Sequence, residues 1–298
     1  MTREDPVAVS RCDQAGPEGS GMMGAMRWSR RKHLMLVTGA SGFLGRHLVG
    51  SDAARDWEVV APPSRTLDIT RAELVADTIR EWKPTAVVHL AYRRDDRRVI
   101  VQGSANVARA AAAAGAHLVH LSTDVVFGGR PLPYTEADTP DPITDYGRWK
   151  TEAEAQATAA HPGAVLVRTS LIYGTDHLAP VQRDVEAALD GQSSMSFFTD
   201  EIRCPVHAAD LARAVSLLAD RRDLSGPLHV AGPEAIDRAS LARLVARWLG
   251  ADAVRIAGLR TSTVAESGLV RPACVVLDTG LATSIGLACR PVSDVLRV

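Results

Sequence analysis

The chain has little lysine: of its 34 basic residues only Lys32, Lys83 and Lys150 are lysines, and the rest are arginines. It has little cysteine too. Cys12, Cys204, Cys274 and Cys289 lie far apart, with no C-x-x-C pair and no histidine at ligand spacing. Neither a disulfide framework nor a zinc or other metal site is expected. No stretch approaches the roughly 18 consecutive apolar residues of a membrane span. No sign of charge dominates either, since the formal net charge is -1 over 298 residues. That balance gives no reason to expect a nucleic-acid or anionic-membrane partner, and short clusters such as "RWSRRKH" and "RRDDRR" read as solvated surface. The opening residues 1–32 are polar and glycine-rich without the apolar core of a secretory leader. They read as a disordered extension, and the protein is expected to be cytoplasmic.

What is present is an alternation. From Leu34 the apolar run "LMLVTG" ends in a glycine turn and passes into "SGFLGRHLVGSDAARD", with helical apolar spacing. The pattern repeats through "WEVVA", "RAELVADTIREW", "AVVHLA", "SANVARAAAAAG", "HLVHLS", "DYGRWKTEAEAQATAA" and "GAVLVRTS". Continuous apolar strands alternating with helices imply a parallel sheet covered on both faces, because each parallel connection needs a crossover. The expected class is α/β, a doubly wound parallel sheet of the Rossmann kind over residues 33–173. The alanine run 110–114 would let a helix pack closely on the sheet. After Gly174 the alternation loosens. Residues 174–298 read as a smaller, intertwined C-terminal substrate lobe, with "GPLHVAG" and a helix near 205–231 returning to the main sheet.

The first turn places Gly39, Gly42 and Gly45 as G-x-x-G-x-x-G between strand and helix. Glycines there permit the tight turn, let backbone amides approach a pyrophosphate and allow close helix packing. In that context dinucleotide binding is the stronger reading of the triplet. Where NAD-binding folds often carry an acid for the ribose, the second strand runs into "APPSRTLDIT", which offers Ser64 and Arg65. An arginine at that place can pair with a 2′-phosphate, which points to NADPH and leaves NADH open; a solvated loop arginine is the other reading.

Tyr146 and Lys150 stand four residues apart and so share one helical face. They are either an ordinary solvated pair or an acid assisted by a cation, and a chain that otherwise uses arginine has kept a lysine here. Ser122, Thr123 and Asp124 close an apolar strand at its carboxyl end, where open α/β sheets gather ligands, although hydroxyls there can also be simple caps.

Taken together, "TGASGFLG", "LDIT", "VVHLA", "STD", "YTEADTPDPITDYGRWK" and "VRTSLIYG" resemble the extended short-chain dehydrogenase/reductase family, and within it the dTDP-4-dehydrorhamnose reductases. The resemblance spans residues 34–298. It implies that Gly39, Ser41, Gly42, Phe43, Leu44 and Gly45, then Leu90, Ala91 and Tyr92, flank the dinucleotide, and that Asp68 and Ile69 line the adenine pocket. It implies that Thr123, beside Asp124, binds the substrate carbonyl, that Tyr146 donates the proton, and that Lys150 holds the nicotinamide ribose and favours the phenolate. It places Val126 and Arg203 beside the sugar nucleotide, where Arg203 either clamps a diphosphate or pairs with Asp200 or Glu201. The implied reaction is NADPH-dependent reduction of a nucleotide-linked, dTDP-type 4-keto-6-deoxy sugar, with a homodimer left open. A nucleotide-sugar epimerase and a non-catalytic regulatory subunit are the alternatives; Val125 after Asp124, where related dehydratases carry glutamate, argues against dehydration. Three departures mark a divergent branch. "LAYRRDDRRVI" follows the third strand, Ile100 stands where the family has a relay asparagine, and Trp149 precedes the lysine.

Overall fold

In the computed structural model, which describes residues 33–50 and 52–297, the apolar runs form one six-stranded sheet. The strands are β1 (His33–Thr38), β2 (Trp57–Val60), β3 (Ala86–His89), β4 (His117–Leu121), β5 (Val165–Arg168) and a return strand, Gly226–His229. All neighbours pair in parallel, in the order return strand, β5, β4, β3, β1, β2. After β1 the chain winds first to β2 on one side and then to β3 on the other. That reversal opens a crevice at the carboxyl ends of β1 and β3, the usual ligand position in open α/β sheets.

The helices are α1 (Phe43–Val49), α2 (Ala72–Trp82), α3 (Ser104–Ala113), α4 (Asp145–Ala160), α5 (Pro180–Leu189), α6 (Ala208–Ala219) and α7 (Arg238–Trp248). Because side chains alternate along a strand, each strand feeds both faces. Met35, Val37, Val88, Val119 and Val167 pack under α1 and α6 with Leu44, Leu48, Leu211 and Val215. Leu36, Val87, Leu118 and Leu166 pack under α2, α3 and α4 with Val75, Ile79, Val107 and Ala157. Each such fully buried aliphatic side chain contributes about 1.5–3 kcal/mol. Ala108 and Ala111 are fully buried, so the alanine-rich helix does lie close on the sheet.

Two local expectations are corrected. α1 stops at Val49, and Asp52–Ala54 form a separate 3-10 turn, because Gly50 ends the helix and its amide bonds back to Arg46. The alanine-rich helix also begins earlier than its sequence suggests, as a π-helical turn, Arg98–Gly103, that runs straight into α3. Such turns are rare and often mark functional sites.

Residues beyond Gly174 contribute α6 and the return strand to the main sheet and build a second apolar cluster from Tyr173, Val185, Phe197, Leu241, Val245 and Val292. Short pairings, such as Ile202–Arg203 against Ile236–Asp237, tie its loops together. The chain from residue 33 onward forms one compact unit. The expected extension 1–32, with Cys12 and Lys32, lies outside the described residues. Among the described residues no helix is long and apolar enough to cross a membrane, and no cluster of His, Cys, Asp and Glu could hold a metal.

Candidate active site

The glycine turn after β1 has the geometry that glycine alone permits. Gly39 has φ +76°, and a Cβ there would meet the Ala91 amide nitrogen at 2.6 Å; one on Gly45 would meet the Gly39 carbonyl oxygen at 2.4 Å. The Gly42 amide closes the turn on the Gly39 carbonyl at 3.0 Å, and Gly42 caps α1 without a side-chain hydrogen bond. The turn therefore brings bare backbone to the crevice, as a cradle for a dinucleotide requires.

The crevice opens into a cavity of about 370 Å³. Gly39, Gly42, Phe43, Leu44 and Gly45 line it together with Leu90 and Tyr92 and with Thr123, Asp124, Tyr146 and Lys150. α4 brings in the last two. Its N-cap Thr144 accepts a hydrogen bond from the Gly147 amide at 3.1 Å, which fixes where the Tyr146 turn begins. Thr123 and Asp124 sit at the start of a 3-10 turn after β4. The Thr123 hydroxyl donates to Asp124 Oδ1 at 3.2 Å and the Ser170 hydroxyl to Oδ2 at 2.6 Å. Burial raises the Asp124 pKa, with Arg203 and these hydroxyls opposing it.

Tyr146 and Lys150 both line this cavity. Lys150 is buried and its Nζ donates to the Leu121 carbonyl at 2.8 Å. Its ammonium lies 5.5 Å from the centre of the Tyr92 ring. Burial pushes its pKa down to about 8, with Glu154 opposing. Burial also pushes the Tyr146 phenol well above its ordinary value. Tyr92 and Asp124 add to that rise, and Arg94 and Thr123 oppose it.

Two of the three departures explain one another. Ile100 is buried in one apolar cluster with Val101 and Ala153, against which Tyr146 and Trp149 pack. Ile100 and Trp149 thus meet in one apolar contact beside Tyr146.

Other expected residues fall at different depths. Ile69 is buried beneath α3, where its carbonyl accepts from Asn106 at 2.9 Å, and the Asp68 carboxylate, exposed, accepts from the Thr70 amide and hydroxyl. Ser64 and Arg65 sit on an exposed turn closed on the Pro63 carbonyl, outside the cavity wall; Ser41 is exposed and Ala91 lies against Gly39. Val126 is a correction. It is fully buried with Phe127, Tyr134 and Val275, and Val125 lines the cavity in its place, because the 3-10 turn rotates Val126 inward.

Arg203 lines the cavity but turns its fork into the wall. It donates to the carbonyls of Ile202, Pro272 and Ala273 at 2.7, 2.6 and 3.2 Å, and it lies 3.7 Å from Asp124 and 3.5 Å from Glu201. Of the two readings left open, the geometry favours the internal ion pair. Burial alone would raise the Glu201 pKa, yet a two-pronged bond from Arg271 and the charge of Arg203 hold it below the ordinary carboxylate range. Sequence reasoning missed Arg94 and Arg238, which also line the cavity and make no side-chain hydrogen bond among the described residues. Nothing in their sequence neighbourhoods distinguishes them from surface arginines.

The sequence model described as the RmlD substrate binding domain matches residues 33–293. The dTDP-4-dehydrorhamnose reductase of Mycolicibacterium smegmatis (strain ATCC 700084 / mc(2)155) is 34% identical over 236 residues, which cover 74% of this chain and 71% of that one. The methionine adenosyltransferase 2 subunit beta of Rattus norvegicus is 28% identical over 285 residues, 86% of this chain and 83% of that one. A crystal structure of dTDP-4-dehydrorhamnose reductase from Bacillus anthracis str. Ames in complex with NADP aligns with a TM-score of 0.78 at 25% identity, over 89% of this chain and 97% of that one.

Proposed function

The chain belongs to the RmlD substrate binding domain family and is an oxidoreductase of the extended short-chain dehydrogenase/reductase type, and on that premise we propose that it reduces the keto group of a dTDP-linked 4-keto-6-deoxy sugar with NADPH. One observation carries the reading: Thr123, Tyr146 and Lys150 line the same cavity as the glycine turn. The cradle at Gly39 and Gly45, which a Cβ would fill, fits a dinucleotide, and the cofactor supplies the hydride.

In this reading the Thr123 hydroxyl turns its proton from Asp124 to the ketone oxygen, and Tyr146 delivers its proton to that oxygen as negative charge develops. Asp124 orients Thr123. Lys150, anchored on the Leu121 carbonyl, stands ready for a ribose hydroxyl. Arg238, whose guanidinium has no hydrogen-bond acceptor among the described residues, is the group in the wall suited to the substrate diphosphate, since Arg203 is already engaged. Arg65 is proposed to pair with the 2′-phosphate of NADPH.

Stoichiometry tests the reaction. One NADPH consumed per ketone reduced supports it, whereas an epimerase would change the sugar with no net loss of NADPH. A second reading rests on the relative named as a subunit of methionine adenosyltransferase and on Ile100: this chain would bind nucleotide and serve another enzyme. Turnover by the purified chain alone decides against it.

A further inference from the structure

The segment after β3, which departs most from the family pattern, lays two side chains on the acid–base pair. The Tyr92 and Tyr146 rings lie 6.3 Å apart. Lys150 Nζ sits 5.5 Å from the centre of the Tyr92 ring, and Arg94 Cζ sits 5.4 Å from the centre of the Tyr146 ring. The order is cation, ring, ring, cation, and the cation on the Tyr146 ring is Arg94. Lys150 is directed elsewhere, onto the Leu121 carbonyl.

Arg94 has no hydrogen bond or ion pair among the described residues, although Asp95 and Asp96 follow it directly in sequence. The Asp96 carboxylate is turned back onto the amides of Arg98 and Val99 at 2.9 and 3.3 Å. The guanidinium is left exposed over the ring. The other groups facing Tyr146 are Tyr92 from the same segment, Thr123 and Asp124 from the turn after β4, and apolar Ile100 from the π-helical turn. Asp124 and Tyr92 oppose negative charge on the phenol, and Thr123 offers it a hydrogen bond.

We propose that Arg94 is a positioning residue for Tyr146: its guanidinium, laid on the ring, stabilises the negative charge left on the tyrosine oxygen once the proton has moved to the alkoxide. This rests on the reductase reading above. In the forward direction the proton passes from the Tyr146 oxygen to the sugar oxygen as the hydride reaches the sugar carbon. In reverse the phenolate takes the proton from the sugar hydroxyl while the hydride returns to NADP⁺. The reverse direction therefore needs the phenolate, so the rise of its rate with pH reports the deprotonation of Tyr146.

The experiment is the pH dependence of kcat for NADP⁺-dependent oxidation of dTDP-rhamnose by wild type, Arg94→Gln and Arg94→Lys. Removing a unit charge at this distance from a partly solvated phenol shifts the acidic limb up by about one pH unit in the glutamine variant. The lysine variant, which restores a charge, is expected to return most of that shift. A glutamine limb that coincides with wild type, or a lysine limb displaced as far as glutamine, would overturn the proposal while leaving the reductase intact. A wild type that oxidises nothing would overturn the reductase reading and the inference with it.

Discussion

A Cβ on Gly147 would lie 2.2 Å from the carbonyl oxygen of Val125. The helix that carries Tyr146 and Lys150 thus starts in backbone contact with the turn that carries Thr123 and Asp124. A glycine inside a helix ordinarily costs about 0.5–1 kcal/mol relative to alanine. Here the sign reverses. Gly147→Ala is expected to lose about 1–3 kcal/mol through overpacking against a backbone that cannot yield, and to lower kcat by parting Tyr146 from Thr123. Urea denaturation checks it, and an alanine variant as stable as wild type would show that the contact is slack.

Lys150 supplies a pH prediction. Its folded pKa of about 8 lies below the ordinary 10.5, so the folded state holds the proton less tightly than the unfolded chain. The cost of burying the ammonium is therefore fully present below about pH 8 and is relieved as pH rises from there towards 10.5. Wild type should gain on the order of 2 kcal/mol relative to Lys150→Met between pH 7.5 and pH 10. A stability difference that does not change across that interval would mean that the amine is not paying this penalty.

Arg203 is predicted to matter for the wall before it matters for the ligand. Arg203→Met leaves the buried Asp124 without a charged partner, Glu201 with Arg271 alone and the Pro272 carbonyl without its guanidinium donor, a loss of about 3–5 kcal/mol. Denaturant titration should show that loss. A variant of normal stability with only a raised KM for the sugar nucleotide would restore the clamp.

Arg65→Ala should weaken NADPH binding by roughly tenfold and leave NADH nearly unchanged, since the lost interaction is a charge-assisted contact to the 2′-phosphate alone. Fluorescence titration of both cofactors separates this from an inert loop arginine, for which neither affinity would move.

The sequence made the sheet legible because period and length were unambiguous: "AVVH" and "HLVHL" are buried at nearly every position, and only a parallel, doubly covered strand accommodates that. The glycine turn and the helix of Tyr146 were legible for a similar reason, in that local backbone requirements and i, i+4 spacing are written in consecutive residues. What contacts Tyr146 was not. Arg94 and Lys150 are both cations near a tyrosine in sequence or in space, and which ring each one meets depends on the path of the chain after β3. The same holds for Val126 and Val125, where one step of a 3-10 turn decides which side chain faces the cavity. Arg203 was ambiguous because its acceptors, Pro272 and Ala273, lie about 70 residues away.

The most direct measurement is hydride tracing with NADPH deuterated on the transferred position of the nicotinamide, with dTDP-4-dehydrorhamnose as substrate. The wild type is expected to yield a dTDP-linked alcohol carrying one deuterium on the reduced carbon. Tyr146→Phe should bind the cofactor normally while forming that product about 10²–10⁴-fold more slowly. An undeuterated sugar product, or a phenylalanine variant that turns over like wild type, would contradict the assignment of Tyr146 as the proton donor of a reductase.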